Sequence, residues 1–171
     1  MFDSHILTLI LLTPLVGAIA LLFIPRKRAD LYRWVANIFG ILGLLMSLPL
    51  LWRFDLSANA PRFQFVSDHV WIPSLDVHYA LGIDGLSLLM VMLTTLLGAI
   101  AILSAWSAIR ERRKEFYVLM LLLQTGMLGI FLSLDFVLFY VFWEVTLVPI
   151  YFLIGVWGSE RRLYAAIKFF L

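Results

Sequence analysis

Five apolar runs, each about as long as a bilayer is thick, dominate this chain and leave few folds open to it. They extend from about Ile6 to Ile24, Trp34 to Trp52, Ile83 to Trp106, Phe116 to Ser133 and Leu134 to Trp157, and a sixth begins near Leu163. A helix rises ~1.5 Å per residue, so runs of this length cross the ~30 Å hydrocarbon layer. Hydrocarbon offers nothing for backbone N–H and C=O groups to bond, and a helix satisfies them within the segment. With 63% of 171 residues hydrophobic and a mean hydropathy of +1.00, a water-soluble domain is excluded. The expected fold is all-α: a polytopic membrane helix bundle of about five complete transmembrane helices plus the start of a sixth.

Charge placement orients the bundle. Arg26, Lys27, Arg28 and Arg33 follow the first run, Arg110, Arg112, Arg113 and Lys114 the third, and Arg161 and Arg162 the fifth, whereas Arg53 and Arg62 alone follow the second. Alternate connections are basic, which places them on the cytoplasmic or matrix side, with the N-terminus and the segment 53–82 outside. The first run carries Asp3 ahead of it and its basic residues behind it, the reverse of a signal peptide, so it reads as a retained helix.

Several chemistries fall away. A net charge of +2 argues for no nucleic-acid partner, and the absence of cysteine removes disulfides and cysteine-ligated iron–sulfur clusters. His5, His69 and His78 all lie outside the apolar runs, so no pair of histidines holds a haem within the membrane. No glycine-rich nucleotide loop follows a strand. The outer segment 53–82 reads as turns with a small hairpin around Asp76-Val77-His78-Tyr79, a covering loop without metal-ligand spacing. Asp84, before Gly85-Leu86-Ser87, caps the third span.

One ionisable residue stands deep in an apolar run. Glu144, within Phe142-Trp143-Glu144-Val145-Thr146-Leu147-Val148-Pro149, lies ten residues past Leu134, roughly 15 Å along a helix. A charge there costs at least ~2.5 kcal/mol, and such residues mark ion paths or buried partners. At helical spacing Tyr140, Glu144 and Tyr151 form a polar seam on one face, while Asp135 projects opposite. Pro149 cannot bond back to the Val145 carbonyl, and so frees an acceptor one turn away. Only Ser133-Leu134-Asp135 turns the chain between the fourth and fifth spans, so Gln124, ten residues before Leu134, shares the depth of Glu144 and is a candidate hydrogen-bond partner, directly or through water. Gly126 and Gly129 allow close helix approach. Lys168 stands near the start of the sixth helix, within snorkelling reach of the interface.

These residues resemble a known family. The run from Phe142 to Gly158, with its Trp-Glu-x-x-Leu-x-Pro-x-Tyr core, together with Leu81-Gly82-Ile83-Asp84-Gly85-Leu86-Ser87-Leu88-Leu89, Ser133-Leu134-Asp135 and Ala165-Ala166-Ile167-Lys168-Phe169-Phe170, resembles subunit M of bacterial NADH:quinone oxidoreductase (respiratory complex I), the counterpart of mitochondrial subunit 4. The likeness extends over essentially the whole chain. It implies an antiporter-like, proton-translocating subunit of the membrane arm, a translocase component that couples distant NADH oxidation and quinone reduction to proton transport.

The same resemblance implies that NADH, FMN, iron–sulfur clusters and quinone are held by other subunits, that no cofactor or metal is bound in this chain, and that its partners are neighbouring membrane-arm subunits and the lipid bilayer. Glu144 is then the proton relay, not a bond-making catalyst, with Tyr140, Tyr151, Pro149, Gln124 and Lys168 as supporting candidates. In the family the corresponding glutamate pairs with a lysine on a later, interrupted helix. A desolvated glutamate holds its proton up to pH ~8 to 9, and a nearby ammonium favours release, so a moving partner alternately loads and discharges it. Family members are longer, so residues 1–171 read as the N-terminal part of such a domain, in a bacterial inner membrane or alternatively the mitochondrial one. A subunit of a multisubunit sodium/proton antiporter and a purely structural assembly subunit are the competing readings.

Overall fold

The computed structural model describes residues 5–25, 29–57 and 59–170. The basic residues Arg26, Lys27 and Arg28, and Asp3, lie outside the described residues. Helices α1 (Ile6–Phe23), α2 (Ala29–Arg53), α3 (Gly85–Ala108), α4 (Arg113–Leu132) and α5 (Phe136–Trp157) are each long and apolar enough to cross a membrane, and α6 (Arg162–Phe170) follows. Between α2 and α3 stand two antiparallel strands, β1 (Gln64–Ile72) and β2 (Val77–Ile83). Leucines and isoleucines exposed along the helices, among them Leu12, Ile38 and Leu97, form a surface that a membrane would cover.

Helix limits depart from the apolar runs where polar chemistry decides them. Ile83 completes β2, so α3 starts at Gly85, where the Asp84 carboxylate accepts the Ser87 N–H at 2.8 Å. Similarly α5 starts at Phe136 and not at Leu134, because Asp135 caps it by accepting the Leu138 N–H at 2.9 Å. At the other end α4 gains a polar first turn from Arg113, and Lys114 Nζ donates to the Leu22 and Ile24 carbonyls, both at 2.8 Å, occupying acceptors that the end of α1 leaves unpaired.

The helices run alternately up and down, which gathers Arg33, Arg112, Arg113, Lys114, Arg161 and Arg162 at one end. Trp157 donates its indole N–H to the Glu111 carbonyl at 3.2 Å and packs edge-on against Phe116, while Arg33 lies over Trp106. The opposite end carries the hairpin. Leu134 donates its N–H to Ala80 O at 2.8 Å, Leu81 bridges Ser133, and His78 N–H reaches Asp135 Oδ2 at 3.3 Å, so β2 is stitched to the α4–α5 turn. Gly82 permits this, since a side chain there would meet Leu134 Cδ1 at 2.7 Å. What reads in the sequence as a covering loop is thus a bound element of the bundle.

Helix α4 is central, touching α1, α2, α3 and α5. One apolar core, with Leu7, Ile10, Leu81 and Leu132, lies under the hairpin, and a second, with Leu21, Ile102, Tyr117 and Leu121, lies toward the basic end. The tightest contact is α4 on α5. Gly126 faces Thr146, whose Cγ2 would stand 2.6 Å from an added Cβ, and Gly129 faces the Phe142 ring. Small residues let the backbones approach, and dispersion over that close contact replaces the hydrophobic drive that lipid does not supply. Gly129→Leu should therefore cost about 1–3 kcal/mol through overpacking. A thermal midpoint of the purified full-length protein in detergent that matches wild type would count against this packing.

Candidate functional site

Glu144 lies eight residues beyond Phe136, about 12 Å along α5 and so well inside the span. Its face follows from the glycine contact. Phe142 and Thr146, which pack on α4, each stand two residues from Glu144, and two residues are about 200° of helix turn. Glu144 therefore points away from α4 and is exposed on the outer face of this bundle, beside exposed Val141 and Val148. The sequence had suggested a buried acid, and within these residues it is not one. Tyr140, also exposed, is the neighbour that interacts electrostatically with its carboxyl, one turn back on the same stripe.

Gln124 is at the same level, eight residues before the end of α4, but the expected hydrogen bond to Glu144 is not made. The same 200° explains it. Gln124 stands two residues from Gly126 and so faces α3, where a side chain at Gly98 would fall 2.7 Å from its amide. Its Nε2 and Oε1 are both buried and without a partner among the described residues. Thr125 returns its hydroxyl to the Leu121 carbonyl at 2.9 Å.

The remaining candidates separate. Tyr151 packs edge-on against Phe170 of α6 at 5.6 Å between centroids, so the seam drawn through Tyr140, Glu144 and Tyr151 divides between an open face and a helix–helix joint. Pro149 is buried in α5, which stays helical through it. Lys168 is exposed on α6 with its ammonium 5.9 Å from the Tyr164 ring centroid, and no ion pair to Glu144 is present among the described residues.

A polar cluster that sequence reading left without chemistry lies at the hairpin end. His78 Nδ1 is 2.6 Å from Asp68 Oδ1 across the strands, and its Nε2 is 3.5 Å from Asp76 Oδ1. The Asp68 hydrogen bond, helped by Asp76, raises the affinity of His78 for its proton above the ordinary value of 6.5. The Leu138 N–H, and then the His78 N–H, hold the Asp135 carboxyl below the usual range. The alternation Asp76-Val77-His78 gave a strand but not its register, and it is register that brings Asp68 to His78. No group of three His, Asp or Glu among the described residues is arranged to hold a metal.

The site thus consists of a multi-span bundle with a carboxyl at membrane depth and a hairpin locked on its α4–α5 turn. The family model described as "NADH:quinone oxidoreductase/Mrp antiporter, TM" matches residues 133–171, the part that contains Glu144. The chain is similar in sequence to proteins named subunit M or chain 4 of NAD(P)H-quinone oxidoreductases. It is 45% identical to NADH-quinone oxidoreductase subunit M of Rhodobacter capsulatus, over 98% of this chain and 33% of the relative. It is 41% identical to the chloroplastic NAD(P)H-quinone oxidoreductase chain 4 of Chlorokybus atmophyticus, over 96% of this chain and 32% of the relative. A chain in the structure of respiratory complex I from Thermus thermophilus with bound NADH superposes with a TM-score of 0.76 at 28% identity, over 95% of this chain and 31% of that one. The chain thus spans about a third of the length of the curated relatives it matches.

Two outcomes follow from the geometry. Since Gln124 and Glu144 face apart, the stability effects of Gln124→Leu and Glu144→Gln should add within about 0.5 kcal/mol in a double-mutant cycle, and a larger coupling would mean the two side chains meet. His78 binds its proton more tightly when folded, so the stabilisation from Asp68 is full below pH 6.5 and fades as pH rises through the raised value. The thermal-midpoint gap between the protein and Asp68→Asn should narrow as the pH is raised from the ordinary His78 value of 6.5 through its raised one, and a gap independent of pH would contradict the clasp.

Proposed function

We propose that this chain is part of a proton-translocating membrane-arm subunit of an NADH:quinone oxidoreductase, with Glu144 as a proton relay. The observation that carries the reading is a carboxyl about 12 Å into a membrane-length helix, beside a phenol and inside the segment that matches the antiporter family model. An uncovered charge in hydrocarbon costs at least about 2.5 kcal/mol, so the outward face of α5 calls for a cover of protein or water. The relatives are about three times as long as this chain, and the reading assigns that cover, with a lysine counter-charge, to the further length or to a neighbouring membrane-arm subunit. Approach of the ammonium favours the carboxylate and its withdrawal favours the acid, so relative motion loads and releases a proton. Tyr140 is the supporting hydroxyl, and Gln124, facing α3, drops out of the relay.

NADH, FMN, iron–sulfur clusters and quinone are assigned to other subunits, in keeping with a chain that has no cysteine. The basic end, with Arg33, Arg112, Arg113, Lys114, Arg161 and Arg162, is assigned to the cytoplasmic side of a bacterial inner membrane, and the hairpin and N-terminus to the outside. The naming of the relatives as oxidoreductase chains favours this reading over a sodium/proton antiporter subunit.

The decisive measurement is proton uptake against NADH oxidation in inverted vesicles that hold the complete complex. Glu144→Gln should cut the protons moved per NADH by more than half, and Glu144→Ala should do more damage than Gln124→Ala. Unchanged pumping in Glu144→Gln would make the chain a structural subunit, and equal deficits at the two positions would remove the special role of the acid.

A further inference from the structure

At the basic end of the bundle, α1, α4 and α5 line an open recess of about 410 Å³. Arg112 and Lys114, at the start of α4, form its charged rim. Its walls are Leu22, Val118, Leu119 and Phe152, and of these Leu22 and Phe152 are exposed. Leu119 lies six residues past Arg113, about 9 Å into α4, and Phe152 lies five residues before Trp157, about 8 Å from the end of α5. The recess therefore passes from cationic at the ends of the spans to apolar within them, the gradient that a phospholipid follows from headgroup to acyl chain.

The cations of the rim are available to an anion. Lys114 gives two of its three N–H donors to the Leu22 and Ile24 carbonyls, both at 2.8 Å, which fixes the ammonium in place without cancelling its charge. Neither Lys114 nor the exposed Arg112 forms an ion pair among the described residues. Arg112 also leaves the N-terminus of α4 without a side-chain cap, so the first N–H groups of the helix add partial positive charge at the same rim. Glu115 is the acid of the lining, and two cations stand against it. A free phosphate ion would use the rim and leave the apolar walls bare, and a choline headgroup would bring a further cation against Arg112 and Lys114. An anionic headgroup that carries an acyl chain suits both parts of the recess.

We propose that this recess binds an anionic phospholipid from the leaflet at the basic end, its phosphate between Arg112 and Lys114 and an acyl chain along Val118, Leu119 and Phe152. The site needs only that these helices span the bilayer, and it does not depend on the relay reading of Glu144.

The test places the full-length protein, in its assembled membrane complex, in phosphatidylcholine nanodiscs with a small fraction of phosphatidylglycerol or phosphatidylcholine that carries a photoactivatable diazirine in one acyl chain. Phosphatidylglycerol should label the peptides containing Leu119 and Phe152 about five- to tenfold more than phosphatidylcholine does. Unlabelled phosphatidylglycerol should compete, and inorganic phosphate at constant ionic strength should not. Arg112→Gln should lower the preference about fivefold, the worth of one basic residue beside an anionic lipid, whereas Arg112→Lys should keep it. Labelling by phosphatidylcholine should be the same in both variants as in wild type. Equal labelling by the two lipids overturns the proposal, and so does a loss shared by Arg112→Gln and Arg112→Lys. Competition by inorganic phosphate would make the rim a site for free anions, and labelling by neither lipid would mean that protein of the complex covers the recess; each of these results also overturns it.

Discussion

The contact of Gly126 and Gly129 with Thr146 and Phe142 governs how this bundle presents its polar side chains. In lipid, two helices gain little by hiding leucine from a solvent equally apolar, so close backbone approach and dispersion decide which faces meet. Once α4 and α5 meet through those residues, a side chain two positions from the contact is turned about 200° away. Glu144 is thereby set on the outer face of α5, and Gln124 is driven against Gly98 of α3. Both polar groups remain at one depth, yet they serve different surfaces.

A second constraint acts at the hairpin end. The three residues Ser133, Leu134 and Asp135 turn the chain, bridge β2, fill the space over Gly82 and cap α5. Asp135 accepts N–H groups from both α5 and β2, so one carboxylate joins a membrane helix to the strand pair. The hairpin end of α5 is fixed by backbone and carboxylate hydrogen bonds, whereas its far end is held by aromatic packing of Trp157 on Phe116 and of Tyr151 on Phe170. The level of Glu144 is therefore set from the hairpin side.

Much of this was legible in the residues. The apolar runs gave five spans and an incipient sixth, the alternating basic connections gave the up-down order, and Asp84 announced its cap. The small hairpin was readable from alternation, but its docking on the α4–α5 turn was not, because a bridge between Leu81 and Ser133 joins positions with no local pattern in common. The pairing of Gln124 with Glu144 rested on depth alone. Gly126 and Gly129 carried the contrary signal, since a face chosen for glycine contact cannot also present a residue two positions away.

The sequence by itself determined that the chain crosses a membrane, which ends gather positive charge and that one carboxyl lies at mid-span, because hydropathy, length and charge are properties of segments taken one at a time. Only the tertiary structure decided where that carboxyl points, that Gln124 is pressed against Gly98 of α3 and that His78 meets Asp68. Those facts depend on helix rotation and strand register, and a sum of close contacts between distant segments selects both.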